Sequence, residues 1–332
     1  MTNAINNDKP LLNMSEETRC GYTVTAETKQ LWAVLLRLTC KVLDVCRRNG
    51  LPIWADGGTL LGAVRHRGFI PWDDDIDLCM LRADYDRLVA IAPREFSAPY
   101  HFQTSYTEPG YARGHAQLRM DGTTAARSID IDMPFHHGIF IDIFVHDGIP
   151  DDSTRCKQLE HDTRQLMSQL ELCCRPPRVW WFFSHPFRYM QVQRQCRDIR
   201  REGFAHAFGR LEDMFRACPV GSSAHSGAIA FRFGAYVGFG LRPEYYARTI
   251  YMPFEGIELP VPAGYGDILR SQYGPDYMQP RQDPTLHGEF MLVDTSRDYR
   301  DLLDGLRRQN ARDKRRKRWR HILDKIMNSF SH

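Results

Sequence analysis

The sequence predicts an α+β fold, a mixed β-sheet flanked by helices, with a helical insertion late in the chain and a basic helix at its C-terminal end. Three observations predict it. Leu31, Leu35, Leu38, Val42 and Val45 recur at spacings of three and four, the apolar stripe of an amphipathic helix. Short strand-like segments follow up to residue 145. In the last of them Ile139, Ile141, Ile143 and Val145 share one face, and Phe140, Asp142 and Phe144 the other. From residue 153 the pattern turns helical, and it is helical again from 298 to 328.

Residues 1–20 read as a flexible leader, with no basic head and apolar run of the secretory kind. The first helix ends at Asn49-Gly50. Residues 52–55 read as a short buried strand, Asp56-Gly57-Gly58-Thr59 as a tight turn and 59–65 as a short helix. Gly68 and Pro71 punctuate the loop that follows. Residues 75–80 form a strand with an acidic start, and 82–91 a helix with Tyr85, Leu88 and Ile91 on one side. Strands are expected at 101–104, 115–120, 128–132 and 139–145. The helical stretch 153–218 is interrupted by Arg-Pro-Pro-Arg at 175–178 and by His185-Pro186, and a Gly-rich stretch runs from 221 to 240. Glu255-Gly256 turns a hairpin between 252–254 and 257–261, and Gly274-Pro275 stops a helix over 264–273. The expected organisation is a leader (1–20), a catalytic core (21–150), a helical insertion (151–250), a return to the core (251–297) and a basic tail (298–332).

At 332 residues and 42% hydrophobic composition the chain can bury a sizeable core, which excludes wholesale disorder. The densest apolar run, 179–183, is far too short to cross a bilayer. Nine cysteines with no C-x-x-C pair argue against a disulfide framework or zinc ribbon, and for reduced thiols in a cytoplasmic protein. The net charge is +3, but residues 307–320 alone carry +8, leaving the rest at −5.

The chemistry concentrates between Trp54 and Leu78. Asp73, Asp74, Asp75 and Asp77 place four carboxylates within five residues, and so many like charges need a compensating cation. Hard oxygen donors suit Mg²⁺, or Mn²⁺. Asp75 and Asp77 project to one face of an extended strand; Asp73 joins them only if the strand starts early, which Pro71 disfavours. A solvated acidic loop is the bland alternative, weakened by the apolar stretches on both sides. Gly57-Gly58-Thr59, ahead of a helix, lets backbone N–H groups approach a phosphate. Asp142, a lone acid in an apolar strand, is the expected third metal ligand, preferred over Asp130 and Asp132. Arg65 and Arg119, in apolar surroundings, are the expected phosphate-binding cations; for Arg67 a surface ion pair is as good a reading. Positioning and charge neutralisation are what phosphoryl transfer needs.

Residues 54–80 resemble the signature of the LicD/fukutin family within the nucleotidyltransferase-fold superfamily. The resemblance continues through Gly138–Asp147 (GIFIDIFVHD), 254–262 (FEGIELPVP) and 273–278 (YGPDYM). It implies a nucleotidyltransferase-like mixed sheet and metal-dependent transfer of a phospho-alcohol, such as phosphocholine or ribitol phosphate. The implied donor is CDP-linked (CDP-choline or a CDP-polyol) and the acceptor a sugar of a surface glycan such as lipopolysaccharide, capsule or teichoic acid. By motif the Asp-x-Asp pair falls on Asp75 and Asp77, the third acid on Asp142, and the glycine turn on Gly57, Gly58 and Thr59. Residues 153–250 match nothing in the pattern and are expected to set the acceptor. Other readings stay open at this stage: a nucleotidyltransferase acting on a small molecule or an RNA end, a phosphatase with an Asp nucleophile, and an inactive glycan- or nucleic-acid-binding module.

Two segments bear on placement. Residues 175–188 (RPPRVWWFFSHPFR) set Trp and Phe among basic residues, which suits a membrane surface and equally an aromatic helix buried in the core. The tail at 307–320 suits anionic headgroups or simply a solubilising helix end, and nucleic acid is not the expected partner. The expected location is cytoplasmic, with peripheral contact at the inner face of the membrane as an extension of that reading.

Overall fold

The computed structural model describes residues 12–108, 110–176, 179, 181–230, 241–281 and 290–329. Residues 1–11 of the leader expected at 1–20, the end of the Gly-rich stretch at 231–240, and Pro177, Arg178 and Trp180 of the aromatic segment lie outside the described residues. A small hairpin, β1 (Glu17–Arg19) and β2 (Tyr22–Val24), precedes the long helix α1 (Ala26–Arg48). Thr25 caps α1 by accepting the Thr28 N–H at 3.2 Å, and the helix buries Trp32, Leu35, Leu38, Val42 and Val45, the stripe read from the sequence with Trp32 in place of the half-buried Leu31.

The central sheet runs in the order β3 (Trp54–Ala55), β4 (Asp77–Leu81), β8 (Phe140–Ile149), β6 (Ala116–Met120), β5 (Tyr100–Gln103). It is mixed: β4 runs parallel to β8, and the other neighbours are antiparallel. Parallel strands need a long connection. Here it contains α3 (Arg82–Glu95), β5, β6 and β7 (Thr124–Arg127). The far end of β8 also pairs with β9 (His225–Gly227). The helix α2 (Gly57–His66) links β3 to the loop leading into β4.

The insertion consists of α4 (Ser153–Cys174), the short α5 (Trp181–Ser184), α6 (Pro186–Glu202) and α7 (Phe204–Arg216). It has its own small core, which includes Leu166, Leu170, Ile199, Phe208, Leu211 and Phe215. The hairpin β10 (Thr249–Phe254) and β11 (Ile257–Pro262), then α8 (Tyr265–Tyr273), return to the main core. β12 (Phe290–Asp294) pairs with β7, and α9 (Tyr299–Ser329) follows. All nine cysteines are free.

Three expectations are corrected. The strand expected at 128–132 lies instead at Thr124–Arg127, because β12 supplies its partner there. Residues 128–132 turn, with the N–H groups of Asp130 and Ile131 bonding back to the Arg127 carbonyl. The strand expected to open at Asp75 opens at Asp77: a turn closes behind Pro71, with Asp73 N–H on the Ile70 carbonyl, and Trp32 Nε1–H holds the Asp73 carbonyl at 2.9 Å. The helix expected from Thr59 begins at Gly57.

Candidate active site

Two neighbouring strands build the centre of the site. In the parallel β4–β8 pair Asp77 is in register with Asp142. In-register residues of a parallel pair share a face, and adjacent strands are about 4.8 Å apart, so two acids separated by 65 positions in the chain stand side by side. Asp75 precedes β4, and one carboxylate oxygen each from Asp73, Asp74 and Asp75 lie within 4.8 Å of one another. The structure thus gathers Asp73, Asp75, Asp77 and Asp142 at the start of β4.

The N-terminal turn of α2 faces these acids. Thr59 Oγ1 accepts the Asp77 N–H at 2.9 Å, tying the helix to the strand. Gly57 has φ +50°, and a Cβ there would lie 3.4 Å from Asp77 Oδ2. At Gly58 a Cβ would lie 2.8 Å from Asp73 Oδ2, closer than real contacts allow. Gly57 is favoured by its left-handed backbone, and Gly58 leaves room for the Asp73 carboxylate, which a side chain there would displace. The Tyr273 hydroxyl, at the end of α8, lies 3.9 Å from the same Gly57 position.

Environment splits the two paired acids. Burial, then the charges of Asp75, Asp142, Asp56 and Asp73, push the Asp77 carboxyl well above its usual range. Burial also works to raise Asp142, but it is outweighed: His115 Nε2 and Gln117 Nε2 sit 3.1 and 2.8 Å from its Oδ1, and with Arg113 they hold it below the usual range. Behind Asp77 lies a second, fully buried group, Asp56, Cys79 and His146, with His146 Nε2 3.4 Å from Asp56 Oδ2. Burial would raise Asp56 as well, but His146, the Gly57 N–H and Gln272 lower it.

The two expected cations sit elsewhere. Arg119 is 2% exposed and spends its guanidinium on Gln103 Oε1, the Gly138 carbonyl and Gln117 Oε1. It reaches Asp142 only through Gln117. Arg65 lies at the far end of α2, eight residues from Gly57 and about 12 Å along the axis. It donates to the Tyr277 and Gln279 carbonyls at 2.8 and 3.2 Å and lines a cavity of about 620 Å³ with Arg19, His66, Arg67 and Glu255.

Sequence reasoning missed His115, Gln117, Asp56 and Tyr273. His115 and Gln117 precede Arg119 at period two, the spacing that puts three side chains on one face of a strand. Tyr273 opens the fourth of the matching segments.

The donor set fits a divalent cation: several carboxylates with only oxygen atoms to offer, crowded enough to repel one another when ionised. Fold and site together define a class, a mixed-sheet α+β protein that gathers carboxylates from neighbouring parallel strands before a glycine-led helix N-terminus. Residues 50–173, a little over a third of the chain, match the LicD/FKTN/FKRP nucleotidyltransferase domain. Over 259 residues it is 28% identical to the lipopolysaccharide cholinephosphotransferase LicD of Haemophilus influenzae, covering 76% of this chain and 94% of that protein. Over 74 residues it is 40% identical to the human ribitol 5-phosphate transferase FKRP, 19% of this chain and 15% of that protein. An uncharacterised Rickettsia prowazekii protein is 34% identical over 83 residues, 25% of this chain and 30% of its own length.

Proposed function

We propose that the chain is a metal-dependent phosphotransferase moving a phospho-alcohol from a CDP-linked donor to a sugar of a surface glycan. The observation that carries this is the Asp77–Asp142 register pair, with Asp75 beside it, set against the N-terminal turn of α2. Asp75, Asp77 and Asp142 would hold Mg²⁺ or Mn²⁺, with Asp73 at the side of Gly58. The bound cation would neutralise charge on the donor diphosphate. The Gly57 and Gly58 backbone offers N–H groups to that diphosphate. Gln117 and His115 hold Asp142 in its ionised form, and Arg119 positions Gln117. A sugar hydroxyl forms a bond to the phosphorus bearing the alcohol, the bond from that phosphorus to CMP breaks, and the hydroxyl proton is released at the carboxylate cluster.

The choice of alcohol follows the relatives: phosphocholine from the cholinephosphotransferase that the chain matches along most of its length, and ribitol phosphate from the shorter match. The helical insertion, whose first helix α4 lies almost wholly within the domain match and whose later helices lie beyond it, is assigned to the acceptor.

The test is release of CMP from CDP-choline, CDP-ribitol and CDP-glycerol, with and without Mg²⁺, in the presence of glycan acceptor. Asp75→Asn and Asp77→Asn are expected to lower turnover by about 100-fold or more with unchanged circular dichroism. Near-normal turnover in either variant would overturn the metal assignment. Release of pyrophosphate from a nucleoside triphosphate in place of CMP would make the protein a nucleotidyltransferase.

A further inference from the structure

α6 has two unlike faces. Val192, Cys196 and Ile199, at spacings of four and three, are buried within the insertion. On the exposed side Phe187 is 88% and Met190 63% exposed, and the same stripe continues at spacings of four and three into Arg194 and Arg197, both exposed. α5, packed against α6, adds Phe183 at 82% exposure. The sequence left open whether this aromatic segment is core or surface, and the structure places it on the surface. Single exposed apolar residues are ordinary, but a run of them on one face marks an interaction site.

Among the described residues, the loop at 128–133 joins the end of α4, ahead of α5, to the basic helix. Arg175, at the end of α4 and the first residue of the aromatic segment, donates to Asp130 Oδ1 at 2.6 Å and to Met133 Sδ at 3.3 Å. From the other side α9 grips the same loop: Arg307 Nε on the Ile131 carbonyl at 2.9 Å, Asn310 on the Ser128 carbonyl at 3.0 Å, and Lys314 3.4 Å from Asp132. Ile129, within the loop, is 57% exposed. Beyond the grip Arg315, Arg316 and Lys317 are exposed, and Trp319, about 7.5 Å further along the axis than Lys314, is 65% exposed.

We infer that α5–α6, the loop at 128–133 and the basic part of α9 form one docking surface for an anionic lipid bilayer. The chemistry selects this occupant. Phe and Met side chains enter the boundary between headgroups and acyl chains, Trp settles at headgroup depth, and Arg and Lys meet anionic headgroups. A nucleic acid would neutralise the charges but leave Met190, Ile129 and the 70%-exposed Val179 in water. A second copy docking isologously would bring two copies of the same net-basic surface together.

The test uses the full chain and co-sedimentation with phosphatidylcholine vesicles, with and without phosphatidylglycerol, at low and high salt. Binding to the anionic vesicles is expected to exceed binding to neutral ones by about tenfold or more and to weaken with salt. Phe183→Ser with Phe187→Ser should lower it by about tenfold or more at low salt. Arg315→Glu, Arg316→Glu and Lys317→Glu together should remove the preference for phosphatidylglycerol. All these side chains are exposed or half-exposed on helices, and circular dichroism checks that folding is unchanged. The inference is overturned if the wild-type chain stays in the supernatant or if both variants bind like wild type. It is also overturned if the Phe variants abolish self-association or RNA binding while vesicle binding is unaltered.

Discussion

His136 shows how a single side chain in this fold acquires a fixed protonation state. Its Nε2–H donates to Asp121 Oδ1 at 2.9 Å, and its Nδ1 accepts the Gly138 N–H at 2.9 Å, so the fold binds the neutral ring. Burial, aided by the charges of Arg119 and His101 and opposed by Asp121, holds its pKa down at about 4, against 6.5 for the free side chain. Below pH 6.5 the unfolded chain takes up a proton that the folded chain refuses. The stability contributed is complete above that pH and is lost as pH falls towards 4, by roughly 2–3 kcal/mol. Urea unfolding of wild type and His136→Gln across this window checks it: the wild type should lose that stability relative to the variant. Gly138 itself leaves no room for a side chain, since a Cβ would lie 2.3 Å from the Met120 carbonyl. The residues of the candidate site divide in the same way between local and distant causes. Gly57 and Gly58 were legible as a glycine turn opening a helix because their neighbours in the chain define it. Arg119 was read as a free cation because its apolar neighbours were visible and its three acceptors were not.

Among elements, the best-read were those whose pattern is self-contained. α1 follows its stripe of Leu and Val, and the β10–β11 hairpin follows its Glu255-Gly256 turn. β7 was misplaced because its register depends on β12, more than 160 residues later. The junction of the insertion with the sheet was not legible either. Arg82, at the start of α3, makes a bidentate pair with Asp147 of β8 at 2.7 and 2.8 Å and reaches Glu212 of α7 at 3.1 Å. Tyr106 and Arg216 complete the bonding of Glu212. Removing the guanidinium leaves two buried carboxylates without their shared cation. Arg82→Ala is expected to destabilise the protein by about 3–5 kcal/mol, measured by urea denaturation. Hydrogen exchange should rise first in α7, which loses its tie to β8. A loss below about 1 kcal/mol would show that the pair is neutralised in another way.

Across the whole molecule, the proposed cation site would couple metal binding to folding. The acids at 73, 75, 77 and 142 come from two segments and meet only in the native sheet, so an ion held by them binds the folded chain and not the unfolded one. Mg²⁺ or Mn²⁺ should therefore raise Tm with a concentration-dependent shift, about 2.7 kcal/mol of stabilisation at 100 times Kd. Asp77→Asn should raise Tm in chelator, by relieving repulsion, and should lose most of the shift with metal; scanning calorimetry reads both. What the sequence by itself determined is the local chemistry: an α+β pattern, a glycine pair opening a helix, an acidic approach to β4, and a lone acid in an apolar strand. Only the tertiary structure decided that Asp142 stands in register with Asp77, that Gln117 and His115 hold it, that Tyr273 closes on Gly57, and that Phe183 and Phe187 face outward. The reason is physical: propensity, capping and period act over a few residues. Strand register, the satisfaction of a buried guanidinium and the exposure of a ring are set by groups that only the folded chain brings into contact.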